Sequence, residues 1–280
     1  MHETVVKTRN GRLLDTNLAY ADLQDAVLKR IDLSEADLFM ANLRNADLSH
    51  SILRKADLSN ADLSWSCLTL TDFSDTFILD AILIGADLSE STMIRANFMH
   101  ADLSFARMNN LRAADVSFSH ANLFKANLVG SDLTRANLRE ARLSNIQAAG
   151  AVFEEANLFQ ADLQNAALTN ARLIRANLMN ANLSGADLSE ADLEDAILVG
   201  ANLSWARLVR ANLRGAILNG AILLNADFDQ AHITMASFKD TQWCPFTPQT
   251  RLIGSPLLPP SSPGPRPNSS SITLPPSTPD

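Results

Sequence analysis

An apolar residue recurs every five positions, without insertion or deletion, from Leu13 to Phe238. Leu, Ile, Met or Phe fills that position in all but two of about 46 consecutive units, the exceptions being Ala113 and Ala148. Pieces such as ADLSE, ANLRN, ADLSH, ANLFK and ANLMN show the pattern A-(D/N)-L-x-x. A period of five fits neither a helix, at about 3.6 residues per turn, nor a long strand, which alternates every two residues. Within a unit, however, Ala and Leu are two apart, and residues two apart on extended backbone face the same way. Each unit therefore reads as a very short strand followed by a two-residue corner. Ala and Leu point inward, and Asp or Asn points outward.

The pattern resembles the pentapeptide-repeat family over roughly four-fifths of the chain. The resemblance implies an all-β fold: a right-handed quadrilateral β-helix of about 11.5 coils, with four units or 20 residues per coil. At a β-spacing of ~4.8 Å the rod would be roughly 55 Å long. Its pairing would run only between adjacent coils, so stability would be close to a sum of nearest-neighbour terms. The expected core includes Leu23, Leu43, Leu63, Phe98, Phe118, Phe153, Phe228 and Phe238. Ala113 is followed one unit later by Phe118, and Ala148 by Phe153, so a large ring accompanies each undersized residue. Residues 20 apart should stack, which predicts the ion pairs Arg12–Asp32, Arg107–Asp87, Arg112–Asp132, Arg142–Asp162, Arg172–Asp192 and Arg207 with Asp187 and Asp227.

All 11 prolines lie at or after Pro245. Proline cannot donate to a coil-to-coil ladder, so its exclusion marks the end of the repeat. The chain divides into a lead-in (1–10), the β-helix (11–246) and a Pro- and Ser-rich tail (247–280) that reads as disordered. Trp243, Phe246, Leu252 and Ile253 are placed to plug the last coil. The N-terminus has no apolar run suited to a signal peptide, and no stretch of about twenty apolar residues is present to cross a membrane. Cys67 and Cys244 match no metal or redox spacing, which fits a reducing, cytoplasmic setting. The net charge of −8 disfavours direct binding to nucleic acid.

Chemistry-bearing motifs are scarce. Ser34, Ser49, Ser59, Ser64 and Ser89 follow the central Leu, yet His2, His50, His100, His120 and His232 make no motif with any Ser or Cys. No phosphate-cradling glycine motif occurs. Asp80, His100, His120 and Glu140 should stack on one edge, but a flat column is a poor tetrahedral cage and reads as an exposed polar ladder. The expectation is a protein without catalytic, cofactor or metal sites.

One side of the square is the most apolar. It carries Phe39, Phe77, Leu79, Met99, Phe159, Met179, Ile197, Val199 and Ile217, a candidate partner face. The sequence thus reads as a non-enzymatic scaffold presenting a flat face to a protein, with a homodimer through an end or the apolar face as one arrangement. A second reading follows from the resemblance alone: a DNA mimic acting on a type II topoisomerase. In the family, such members carry concentrated acidic surfaces, whereas here Arg alternates with Asp.

Overall fold

The structure is a computed structural model and describes residues 17–243 and 251–256. The expected pair Arg12–Asp32, the 1–10 lead-in, Cys244, Phe246 and most of the tail lie outside the described residues.

Each outward Asp/Asn position pairs in parallel with the residue 20 further on, from Asn17↔Asp37 to Ile217↔Ser237. The two named strands, Ile222–Leu223 and Gln242–Trp243, continue the same register. Residues 20 apart are therefore vertical neighbours, and four units close one square coil. Side 1 carries residues 37/39, 57/59 and onward. Side 2 carries 42/44 and onward, side 3 carries 47/49, and side 4 carries 52/54.

The unit 41–45 shows how five residues satisfy five backbone N–H groups. Ala41 donates back to Leu38 O at 3.0 Å, closing the turn. Asn42 donates down to Ala21 O at 2.9 Å, while Leu43 and Asn45 donate up to Asp62 O and Ser64 O at 2.7 and 3.0 Å. The remaining donor, Arg44 N, goes to the Asn42 Oδ1 at 3.3 Å. That last bond is an Asx turn, and it explains why the outward residue is Asp or Asn rather than any polar residue. At several units where Ser follows Leu its hydroxyl donates to the same oxygen, as from Ser64 to Asp62 and Ser189 to Asp187.

Turning a corner in two residues requires left-handed backbone. Every fifth residue from Tyr20 to Asp240 has φ between 54° and 69°, and only seven of these are glycine. For an ordinary L-residue this region costs about 1–2 kcal/mol, so Trp65, Leu70 and Phe105 are held there by the bonds on either side. At Gly85 the absent Cβ has a second use: a Cβ there would lie 2.3 Å from the Trp65 ring in the coil before it.

The inward residues form one continuous column. Leu23, Leu43, Leu63, Phe98, Phe118, Phe153, Phe228 and Phe238 are all buried. Phe98 lies tilted against Phe118 at 5.1 Å, and Phe73 meets Phe98 edge-on at 6.4 Å. Where Ser or Thr replaces the inward Ala, its hydroxyl bonds a turn carbonyl, as from Thr71 to Leu48 O and Ser131 to Met108 O.

The last coil gains a segment from beyond the sequence-based boundary at 246. Gln230, Ile233 and Met235 donate to Arg251 O, Ile253 O and Ser255 O at 2.6, 2.9 and 2.9 Å, and Ile253 donates back to Ala231 O. The pairing His232↔Ile253 has slipped by one residue from the 20-residue register. Leu252 packs against the core, while Ile253 contributes backbone and leaves its side chain exposed.

The arginine pairing expected from stacking is only partly present. Arg107 meets Asp87 at 3.6 Å and Arg207 meets Asp187 at 3.5 Å. Arg112 and Arg142 make no ion pair with Asp132 or Asp162 among the described residues, and Arg172 turns instead to Glu154. The turn uses only one carboxylate oxygen, as Asp62 shows by also binding Arg44 through the other, so the missing pairs reflect how little an exposed Arg gains from any one carboxylate.

If Phe118 fills the volume that Ala113 leaves, Phe118→Ala should cost about 3–5 kcal/mol in denaturant unfolding. Adding Ala113→Leu should recover at least about 1 kcal/mol. No recovery would show that the two sides do not share that volume.

Candidate protein-interaction surface

Outward apolar residues come with a local cost. Ile or Phe at the Asp/Asn position cannot accept the turn N–H, and a lost hydrogen bond of this kind is worth about 0.5–1.5 kcal/mol. Phe77, Ile197 and Ile217 occupy that position on side 1, and Ile82 and Ile222 occupy it on side 2. On side 1, apolar residues also fill the second outward position over neighbouring coils. Phe159, Met179 and Val199 form one vertical run, with Gln160 N donating to Met179 O and Asn180 N to Val199 O. Leu79 and Met99 form a second run below it, with the coils of Ser119 and Arg139 between.

Phe77 is 50% exposed and Ile217 38%. Phe39, Leu79, Met99, Phe159, Met179, Ile197 and Val199 are half-buried, lying along the wall rather than projecting from it. Between the two runs the wall is polar, with Ser117, Ser119, Asn137 and Arg139. The Arg139 guanidinium lies 4.6 Å from the Phe159 ring centre, a cation–π contact.

The corner between sides 4 and 1 shows a pattern the sequence reading missed. Reading upward it carries Glu35, Lys55, Asp75, Arg95, Asp115, Arg135, Glu155, Arg175 and Asp195, an unbroken alternation of sign. Arg95 clasps Asp75 through Nε and Nη2 at 2.7 and 2.8 Å, and Arg135 clasps Asp115 at 2.7 Å through both nitrogens. Arg175–Glu155 (3.0 Å) and Lys55–Glu35 (3.7 Å) continue the ladder. The signal is present in the sequence, at every twentieth residue. It lies in the corner column, outside the Asp/Asn column on which the stacking expectation rests.

The corner at the other end of side 1, between sides 1 and 2, holds the column Asp80, His100, His120 and Glu140. The two imidazoles stack nearly parallel at 5.0 Å, so their ring lone pairs do not converge on a point. Glu140 lies 3.5 Å from His120 Nδ1 and is also bound by Arg139 at 2.6 Å. Among the described residues no group of three or more His, Cys, Asp or Glu is placed to hold a metal ion. Cys67 is half-buried, with its Sγ 3.6 Å from Thr69 Oγ1. The serines after Leu that donate to Asp have their hydroxyl proton committed to an oxygen that also accepts the turn N–H.

Arginine holds Asp75 and Asp115 below the usual carboxylate range, chiefly through its hydrogen bonds. Partial burial pushes Asp47, Asp62 and Asp72 up, but hydrogen bonds outweigh it: from Lys29 and Ser49 to Asp47, from Ser64 and Arg44 to Asp62, and from Ser74 and Arg54 to Asp72. All three also end below their usual range.

Vertical pairing at 20 residues, four corners per coil and a filled axis define a four-sided β-helical solenoid with no helix long and apolar enough to cross a membrane among the described residues. The sequence profile described as pentapeptide repeats matches in eight copies, over 12–49, 36–75, 81–113, 117–155, 136–175, 156–195, 176–215 and 206–241. The chain belongs to the pentapeptide-repeat family, and its coil is the right-handed quadrilateral β-helix of that family. Among solved structures it is similar to HetL of the cyanobacterium Nostoc sp. strain PCC 7120, a pentapeptide repeat protein involved in regulating heterocyst differentiation. Identity is 34%, over 80% of this chain and 90% of that one, with a TM-score of 0.32. It is also similar to a pentapeptide repeat protein of the Arabidopsis thaliana thylakoid lumen, at 36% identity over 37% of this chain and 68% of that one, with a TM-score of 0.21. QnrB1, a plasmid-mediated fluoroquinolone resistance protein, aligns at 20% identity over 66% and 82%, with a TM-score of 0.38. A search of curated proteins finds no match.

The lowered carboxyl groups fix the sign of the acid response. Each ionises more readily folded than at its ordinary value of 3.8. The stabilisation they give is complete above that value and is lost as pH falls through the folded value. The melting temperature should therefore be steady near neutrality and drop below pH of about 4. Asp75→Asn/Asp115→Asn should shallow that drop, and an unchanged acid limb would show that the ladder contributes nothing to it.

Proposed function

We propose that this protein is a non-enzymatic interaction rod that presents side 1 to a protein partner. The observation that carries the reading is the set of apolar residues on side 1. Three of them replace the Asp/Asn that the turn would otherwise use, and others extend over neighbouring coils where solvent-facing walls favour polar residues. Membership in the family supplies a scaffold, and function is argued from the surface it carries. The chemistry supports the same conclusion. Many wall hydroxyls and carboxylates are bonded to one another, and the apolar axis is filled.

The topoisomerase reading is weakened by the corner ladder. Cations alternate with anions there at every level, unlike the uninterrupted negative charge of a nucleic-acid backbone. No inhibition of gyrase supercoiling at micromolar protein is expected, and clear inhibition would revive it.

Phe159→Asp/Val199→Asp places charge at both ends of the apolar run without touching the core. The expected outcome is a rod of unchanged far-ultraviolet circular dichroism that no longer captures the proteins recovered by the native rod from lysate. Recovery of the same set by both would remove side 1 as the contact surface.

A further inference from the structure

We infer that the partner for side 1 is a second copy of this chain, packed face to face and antiparallel, about a two-fold axis that crosses side 1 between the coils of Ser119 and Arg139. The inference rests on the reading that side 1 is a contact surface.

An antiparallel two-fold axis lying across the face sets each corner against the same corner of the partner, reversed in direction. A column of strictly alternating charge is its own complement under that operation when the axis falls midway between two of its members. The ladder between sides 4 and 1 is such a column. With the axis at this level, Asp115 faces Arg135, Arg95 faces Glu155, Asp75 faces Arg175 and Lys55 faces Asp195. From Lys55 to Arg175 each charge then has opposite signs above, below and across from it, and no like charges are opposed in the ladder. An axis half a coil away would instead set Asp115 against Glu155, or Arg95 against Arg135.

The apolar runs select the level. In the outer column of side 1 the same axis sets Met99 against Phe159 and Leu79 against Met179. Moving it by one coil in either direction leaves a single apolar pair in that column. The polar stretch between the runs falls on the axis, with Ser119 facing Arg139. At the corner between sides 1 and 2, His120 faces Glu140 and His100 faces Gln160. Both corners and the second outward column of the wall are thus self-complementary at one level, while the first outward column sets Phe77 against Asn177, Ile197 against Asp57 and Ile217 against Asp37. A closed two-fold contact of this kind uses the same patch on both copies.

The test uses full-length chains at tens of micromolar, with mass read by light scattering and sedimentation. The native protein should run at twice the 30.4 kDa chain mass. Met99→Lys and Phe159→Asp should each weaken the dimer by about tenfold or more. Combined in one chain they should restore it, because the introduced ammonium of each copy then meets the introduced carboxylate of the other. Within one chain the two positions are three coils apart, roughly 14 Å, so an internal pair cannot account for the rescue. Circular dichroism of each variant checks that the rod is intact. A monomeric native chain, or single variants that dimerise normally, would overturn the inference, as would a double variant that stays monomeric. If the native chain is monomeric yet Phe159→Asp/Val199→Asp abolishes capture from lysate, side 1 remains a contact surface for another protein. If capture is also unaffected, the reading of side 1 as a contact surface falls with it.

Discussion

Everything in this rod depends on where five backbone N–H groups go. One closes the turn, three join neighbouring coils, and one is taken by the side chain of the outward Asp or Asn. Unpaired backbone donors are costly away from water, so the unit has almost no freedom in length. An extra residue would displace every donor above it from its acceptor. That constraint accounts for the unbroken register from Leu13 to Phe238 and for the absence of proline before Pro245. It also holds non-glycine residues in left-handed backbone at most corners, because releasing a corner would break the bonds on both its sides.

The rigidity of that frame turns sequence position into surface position. A residue's place on the square follows from its number alone, and its vertical neighbours are 20 away. Function must then be written in the residues that the frame leaves free: the second outward position, the corner, and those Asp/Asn sites where the turn bond has been given up. Side 1 uses the first and third of these for apolar residues. The corner beside it uses its freedom for alternating charge.

Fold and core were legible in the sequence because the period is exclusive. No helix or long strand repeats every five residues, and the inward column follows directly from it. The partial failure of the arginine pairs has a physical origin. Stacking predicts proximity, but Arg112 and Arg142 are exposed, and an exposed Arg gains little from holding one particular carboxylate. The corner ladder was missed because the corner residues look like unconstrained filler in A-(D/N)-L-x-x; only the fixed 20-residue neighbour relation gives them order. The segment 251–255 was legible only in part: Leu252, expected to plug the last coil, packs against the core, but the backbone pairing around it was not foreseen. Its one-residue slip and the intervening prolines hide it from any search for the repeat.

That slipped segment has a consequence for how such rods can grow. A terminal coil of a β-helix is a template, and a like chain laid on it could add coil upon coil into a fibre. Here residues 251–255 already occupy the edge above 229–235, out of step with the repeat below. An incoming coil would find part of its seat taken and the register broken. Along that side of the square, elongation is stopped by the chain's own continuation.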